Sequence, residues 1–177
     1  MSEGFKVYDG SYPHFVTSAT VHWIPVFRRD DYFRVLVDSL NYCIVNRGLL
    51  VYGYALMPDH FHLISQQAEG NLSLVLGNFK GYTAHLLFPK IKEDGRDSWI
   101  RAMERAGGND CAFKLWQDDF HPEQVHSRPF FEQKLRYMHD NPMRAGYVEN
   151  PSEWKYSSAG FYYEDRESII PISVIDW

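Results

Sequence analysis

The sequence predicts an α+β fold in which helices pack on a mostly antiparallel β-sheet. Three observations predict it. Segments with strand-like alternation are interleaved with segments at helical period. Two of the strands are joined by a tight turn, which makes them antiparallel. The elements run strand, helix, strand, strand, helix, strand, strand, helix, which is not the regular alternation of a parallel α/β sheet.

Each element has its own signal. Phe15 to Trp23 alternates and is rich in β-branched residues, so it reads as the first strand. Asp30 or Asp31 caps a helix through Tyr32, Val35, Leu36, Leu40 and Ile44, and Gly48 stands where it should stop. Leu49 to Met57 is a second strand, broken by Pro58-Asp59, and His60 to Ser65 is a third. Asn71 caps a helix running through Leu87, and Pro89 is expected to end it. Ile91 to Asp110, charged and containing Gly107-Gly108, reads as a loop or a short irregular helix. Phe113 to Asp118 and Gln124 to Ser127 read as short strands. Pro129 opens a helix to about Asp140, which Pro142 cannot continue without losing a backbone hydrogen bond.

The 177 residues fit one domain, 1–177, with 160–177 expected as a C-terminal tail. With 45% hydrophobic and 16% aromatic residues the chain can build a core, so disorder is not expected. No uninterrupted apolar run is long enough to span a bilayer, and Met1 to Lys6 does not begin like a signal peptide. Cys43 and Cys111 are far apart and form no Cys-x-x-Cys pattern, so both read as buried thiols. The expectation is a cytoplasmic protein. A net charge of −5 argues against a nucleic-acid partner, but net charge is a poor guide to local field. One group of cations comprises Lys80, Lys90, Lys92, Arg96, Arg101 and Arg105; a second comprises Arg128, Lys134, Arg136 and Arg144. Such groups also occur as ordinary solvated faces.

The sharpest signal lies in Tyr54 to Ile64. On a strand, alternate side chains share a face, so His60 and His62 point one way while Phe61 and Leu63 point the other. The apolar pair can be buried while both imidazoles look outward. Neutral imidazoles at this spacing can chelate one metal ion. Two merely hydrogen-bonded histidines would leave the same trace in the sequence.

The run Met57-Pro58-Asp59-His60-Phe61-His62-Leu63-Ile64 resembles the HUH motif of the one-tyrosine transposases, in which a bulky apolar residue separates two metal-binding histidines. Leu115 to Phe120, Phe131 to Val148 and Trp154 to Ala159 resemble further blocks of the same family, in the same order. The stretch Tyr-x-x-x-Asn-Pro-x-x-Ala-Gly, from Tyr137 to Gly146, looks most like the branch associated with repetitive extragenic palindromes (REP). The resemblance implies a ferredoxin/RRM-like HUH endonuclease fold and a tyrosine that attacks a DNA phosphodiester. The product would be a 5′-phosphotyrosine link and a free 3′ hydroxyl. It puts the nucleophile at Tyr137 and the metal ligands at His60, His62 and Asn141, where Asn141 stands in place of the Gln of the insertion-sequence branch.

The residue chemistry agrees with this. Residues four apart share a helix face, so Tyr137 and Asn141 can look into one site, although Pro142 biases Asn141 away from helical geometry. Two nitrogens and an amide oxygen leave positions open for phosphate oxygens, which suits Mg²⁺ or Mn²⁺. A free tyrosine ionises near pH ~10 and so needs activation. Rival tyrosines are Tyr82, Tyr147 and Tyr156. Lys80, Arg128 and Arg136 are candidate phosphate contacts, and Trp116 and Phe120 are candidate base-stacking residues that could equally be core.

The implied function is a metal-dependent single-strand DNA endonuclease and strand-transferase acting on hairpin-containing DNA. A catalytically inactive hairpin-binding protein of the same fold is the alternative, and a metal-dependent hydrolase is a third reading. Insertion-sequence members are dimers that exchange the tyrosine helix, whereas the REP branch looks monomeric. Monomer and homodimer both stand open at the level of sequence.

Overall fold

The computed structural model describes residues 12–67, 70–118, 122–175 and 177. Met1 to Lys6, read above against a signal peptide, and Phe120, a candidate stacking residue, lie outside the described residues. The α+β class is borne out. Strands β1 (His14–Ala19), β2 (Leu49–Leu56), β3 (His60–Gln67) and β4 (Glu123–Gln124) form one sheet in the order β2-β3-β1-β4, and every pairing is antiparallel.

Alternation divides the sheet into two faces. Val16, Val51, Tyr54, Leu56, Phe61 and Leu63 belong to the larger buried cluster, under helices α1 (Asp30–Arg47) and α2 (Leu72–Glu93). Phe15, Tyr52, Ala55 and Ile64 belong to a smaller cluster with Phe131, Leu135 and Met138 of helix α4 (Arg128–His139). Gly53 lets α4 approach β2. A Cβ there would lie 2.5 Å from Met138 Cε and 2.7 Å from Leu135 Cδ1. The pairing of β2 with β3 shifts register between Val51 and Gly53, at the same place.

Helix ends follow local chemistry except at the start of α1, where neither Asp30 nor Asp31 is the cap: Arg29 holds that position with no side-chain cap, and the Asp30 carboxylate accepts from Tyr156 and Lys155. Gly48 adopts the left-handed conformation after α1, and its N–H bonds the Cys43 carbonyl. The Asn71 side chain accepts from the Leu74 N–H at the start of α2.

Four expectations about the extent of elements are corrected. Pro89 does not end α2, which runs on to Glu93 because Leu87 and Ile91 are both buried. A proline in the last turn forfeits one backbone bond, and burial of Ile91 outweighs that loss. The charged region after it contains a helix, α3 (Asp97–Gly107), which buries Ile100 and Met103. Phe113 to Asp118 forms only an isolated bridge, Thr20 to Trp116. β1 ends at Ala19, after which Val21–Trp23 makes a 3₁₀ turn.

After α4 come a single turn, α5 (Asn141–Arg144), a 3₁₀ turn (Pro151–Glu153) and α6 (Ala159–Glu164). The stretch 160–177 thus opens inside a helix and then lies along β2. Ile170 is buried, Ser168 Oγ lies 2.9 Å from the Tyr54 hydroxyl, and the Ser173 N–H bonds the Val51 carbonyl at 2.8 Å. Of the two cysteines Cys43 is buried as expected, but Cys111 is exposed, because it lies in the loop after α3. Among the described residues no helix is long and apolar enough to cross a membrane.

Candidate active site

The face of the sheet beneath α4 is not fully covered. Where α4 stops, a cleft of about 570 Å³ opens over the ends of β1 and β3. Register fixes what looks into it: Thr17 pairs with His62 and Ala19 with His60, while Phe61 and Leu63 turn into the core.

The imidazole rings of His60 and His62 lie 4.8 Å apart, centre to centre. Asn141 Nδ2 meets both Nε2 atoms, at 3.0 Å for His60 and 2.8 Å for His62. An amide N–H₂ can donate to both rings only if both Nε2 atoms carry lone pairs. Each ring then keeps its proton on Nδ1, where the second neighbours wait. Asp59 Oδ1 lies 2.6 Å from His60 Nδ1, and Thr17 Oγ1 lies 2.7 Å from His62 Nδ1. Burial pushes the His62 pKa down to about 3, reinforced by the nearby His60, Arg144 and Lys134, so this ring is neutral at ordinary pH.

That donor set fits a divalent cation. Turning the Asn141 carboxamide about its terminal bond exchanges Nδ2 for Oδ1, which would offer an ion two imidazole nitrogens and one amide oxygen. Among the described residues no group of three or more His, Cys, Asp or Glu side chains could hold a metal, so any such site depends on the amide.

Pro142 acts differently from the expectation. It falls in the first turn of α5, where a missing N–H is tolerated, and right-handed helical Asp140 joins α4 to α5. The near-continuation keeps Asn141 beside Tyr137. The Tyr137 ring is 47% exposed and stands edge-on to His62 at 5.6 Å and to Phe15 at 6.1 Å. The Arg144 guanidinium lies over it at 4.7 Å and donates to the Tyr137 carbonyl at 3.0 Å. Tyr137, His60, His62 and Asn141 therefore share one cleft within one chain.

The other candidates are dispersed. Arg136 lines a neighbouring groove with Tyr137 and Arg144, not the cleft of the histidines. Arg128 pairs with Glu132 at 2.9 Å near the start of α4, away from the histidines. Lys80 donates to the Gln117 carbonyl at 2.8 Å in a separate groove between α2 and residues 111–118. Trp116 is corrected to a core residue: it is 4% exposed, stacks on Phe27 at 5.4 Å, and donates its indole N–H to Thr83. Of the rival tyrosines, Tyr156 is buried against Phe33, while Tyr82 and Tyr147 are exposed outside the cleft.

Several residues of the cleft were given no role by the sequence. Lys134 bonds Glu123 Oε1 at 2.7 Å and lies over the Phe15 ring at 4.8 Å. The alternation of β1 could have pointed to Thr17, its partner across from His62. Nothing in the sequence announces Trp23, which reaches the rim only because His22 and Trp23 adopt φ of 53° and 54°. For non-glycine residues that conformation costs about 1–3 kcal/mol each.

Fold and site together define an α+β protein whose paired strand histidines face a tyrosine helix. No family model matches the chain. A Haemophilus influenzae protein, provisionally named a REP-associated tyrosine transposase, is 26% identical over 118 residues. That match covers 66% of this chain and 61% of the relative's length. The REP-associated tyrosine transposase of Escherichia coli K12 is 21% identical over 155 residues, 85% of this chain and 78% of that protein. A solved structure of a REP-associated tyrosine transposase bound to a REP hairpin superposes with a TM-score of 0.65 at 17% identity, covering 100% of this chain and 95% of the other. These findings bear out the resemblance to one-tyrosine HUH transposases, in the REP-associated branch.

Proposed function

We propose that this chain cuts and rejoins single-stranded DNA beside hairpins through a covalent bond between Tyr137 and a 5′ phosphate. One observation carries the reading: in a single chain the Tyr137 ring stands against His62, whose Nε2 meets the Asn141 side-chain amide together with the Nε2 of His60. The names of the two relatives, and the hairpin bound to the structural neighbour, support a DNA hairpin as the partner.

In this proposal the phenol gives up its proton as its oxygen attacks phosphorus, the bond to the 3′ oxygen breaks, and the 3′ oxygen takes up a proton to leave as a hydroxyl. The reverse attack by a 3′ hydroxyl restores the diester and frees the phenol. His60, His62 and Asn141 would hold Mg²⁺ or Mn²⁺, with Asp59 and Thr17 fixing the imidazoles. When bound there, such an ion would polarise the phosphoryl oxygens and offset their growing charge. Arg144 covers one face of Tyr137 and holds its backbone, which restricts the phenol to the cleft side. Because nucleophile and histidines come from the same chain, a monomer suffices.

The test is incubation with a single-stranded DNA hairpin carrying an unpaired extension, in Mn²⁺, followed by denaturing electrophoresis. A protein–DNA adduct is expected. Chelation should abolish it, and Tyr137→Phe should lower it about a thousandfold or more. Hairpin binding with no adduct would instead select the inactive binding protein. Metal-dependent hydrolysis that survives Tyr137→Phe would select the hydrolase.

A further inference from the structure

We infer that the Trp23 indole is a stacking platform for an unpaired nucleobase next to the phosphate held at the histidine pair. The inference rests on the proposed single-stranded DNA reading of the same cleft, and it adds a base-binding subsite to that reading.

Three observations carry it. Trp23 is 54% exposed, yet it lines the cleft shared by His60, His62, Tyr137 and Asn141. Its ring stands 5.6 Å from that of His60 at 68°, so it borders the ligand end of the cleft. The backbone that presents it is strained at two successive non-glycine residues, His22 and Trp23.

Core packing does not account for that strain, because neither side chain is buried. The turn is instead held from beneath. Thr20 Oγ1 lies 2.8 Å from the Ile24 carbonyl oxygen and 3.0 Å from the Asp59 carbonyl oxygen, within reach of both with its one proton. The Thr20 N–H bonds the same Asp59 carbonyl at 2.8 Å, and the Trp23 N–H bonds the Thr20 carbonyl at 3.0 Å. These bonds tie the turn to the residue that orients His60. A strained turn that holds a large aromatic ring out into a cleft is the kind of feature functional sites retain.

The chemistry selects the ligand. Unpaired nucleic acid is bound where cations follow the phosphates and aromatic faces receive the bases. Lys134 lines this cleft and Arg144 lies over its tyrosine, while Trp23 supplies the aromatic surface at the histidine side. A base stacked there would set the distance from the histidines to the neighbouring phosphate.

The experiment uses full-length Tyr137→Phe protein, so that nothing is cut, with a DNA hairpin whose single-stranded extension carries 2-aminopurine at successive positions. Fluorescence quenching at one position is expected, together with its loss in Trp23→Ala. Affinity for the extended hairpin should fall about tenfold or more, with Trp23→Phe retaining most of it. An abasic residue at the quenched position should make the parent and Trp23→Ala bind alike. Trp23→Gly separates recognition from folding: it relieves the left-handed backbone, so its melting temperature should not fall although binding does. Unchanged quenching and affinity in Trp23→Ala would overturn the inference and leave the Tyr137 adduct reading intact. If the parent binds extended and blunt hairpins equally and the wild type forms no adduct, the underlying reading fails and the inference fails with it.

Discussion

His62 and His139 lie where water barely reaches, and burial pushes both imidazoles down to about 3. His139 is held between Ser158 Oγ at 2.7 Å and the Tyr163 hydroxyl at 3.1 Å. In the unfolded chain each takes a proton near pH ~6.5. Between that value and about 3, the unfolded state binds protons that the folded state refuses, so these histidines destabilise the fold progressively as pH drops through the window. Above ~6.5 the penalty is absent. Each contributes a slope approaching about 1.4 kcal/mol per pH unit. Urea midpoints at pH 7.5, 6.5 and 5.5 should therefore decline, less steeply in His139→Gln; a flat series would refute the assignment. The same scale shows what one residue reveals in sequence. The spacing of His60 and His62 was legible because strand alternation fixes direction. Trp116 was not, because an aromatic residue in a core and one on a binding surface look alike until its neighbours Phe27 and Thr83 are known.

The element that matters most is α4, and Gly53 seats it. A Val side chain at that position would collide with Met138 and Leu135, both on the helix that carries Tyr137. Gly53→Val should lower stability by about 1–3 kcal/mol. By lifting the helix it should also reduce adduct formation beyond the loss expected from unfolding. Gly53→Ala should do less, since the atoms it meets are the ends of flexible side chains. Calorimetry alongside adduct assays on the two variants checks this, and a Val variant with wild-type melting would refute it. Elements bounded by strong local chemistry were readable in part: Gly48 closes α1, Asn71 opens α2, and Pro129 lies in the first turn of α4, whereas Asp30 does not cap α1 because its carboxylate accepts from Tyr156 and Lys155 instead. Elements decided by tertiary burial were not. α2 passes through Pro89 because Ile91 has a place in the core, and α3 hides its apolar side among charges. Asn141 shows both effects. Its four-residue spacing from Tyr137 was visible, whereas the way the α4–α5 junction absorbs Pro142 was not.

Across the whole molecule, a net charge of −5 coexists with a cleft lined by Lys134 and with Arg144 over its tyrosine. Local cations, not the total, decide whether phosphates can approach. The sheet also separates two clusters of unequal size, the larger under α1 and α2 and the smaller under α4. Cooperative units with fewer buried contacts open at lower free energy. The amides of α4 should accordingly exchange with deuterium through a partial opening that leaves β2, β3 and α1 protected. Equal protection across all of them would contradict this. The proposed nucleophile thus travels on the layer least firmly anchored, while its histidine partners stay fixed to the bedrock of the fold. Access to the phosphodiester could then be gated by detachment of one helix, with no hinge between domains required.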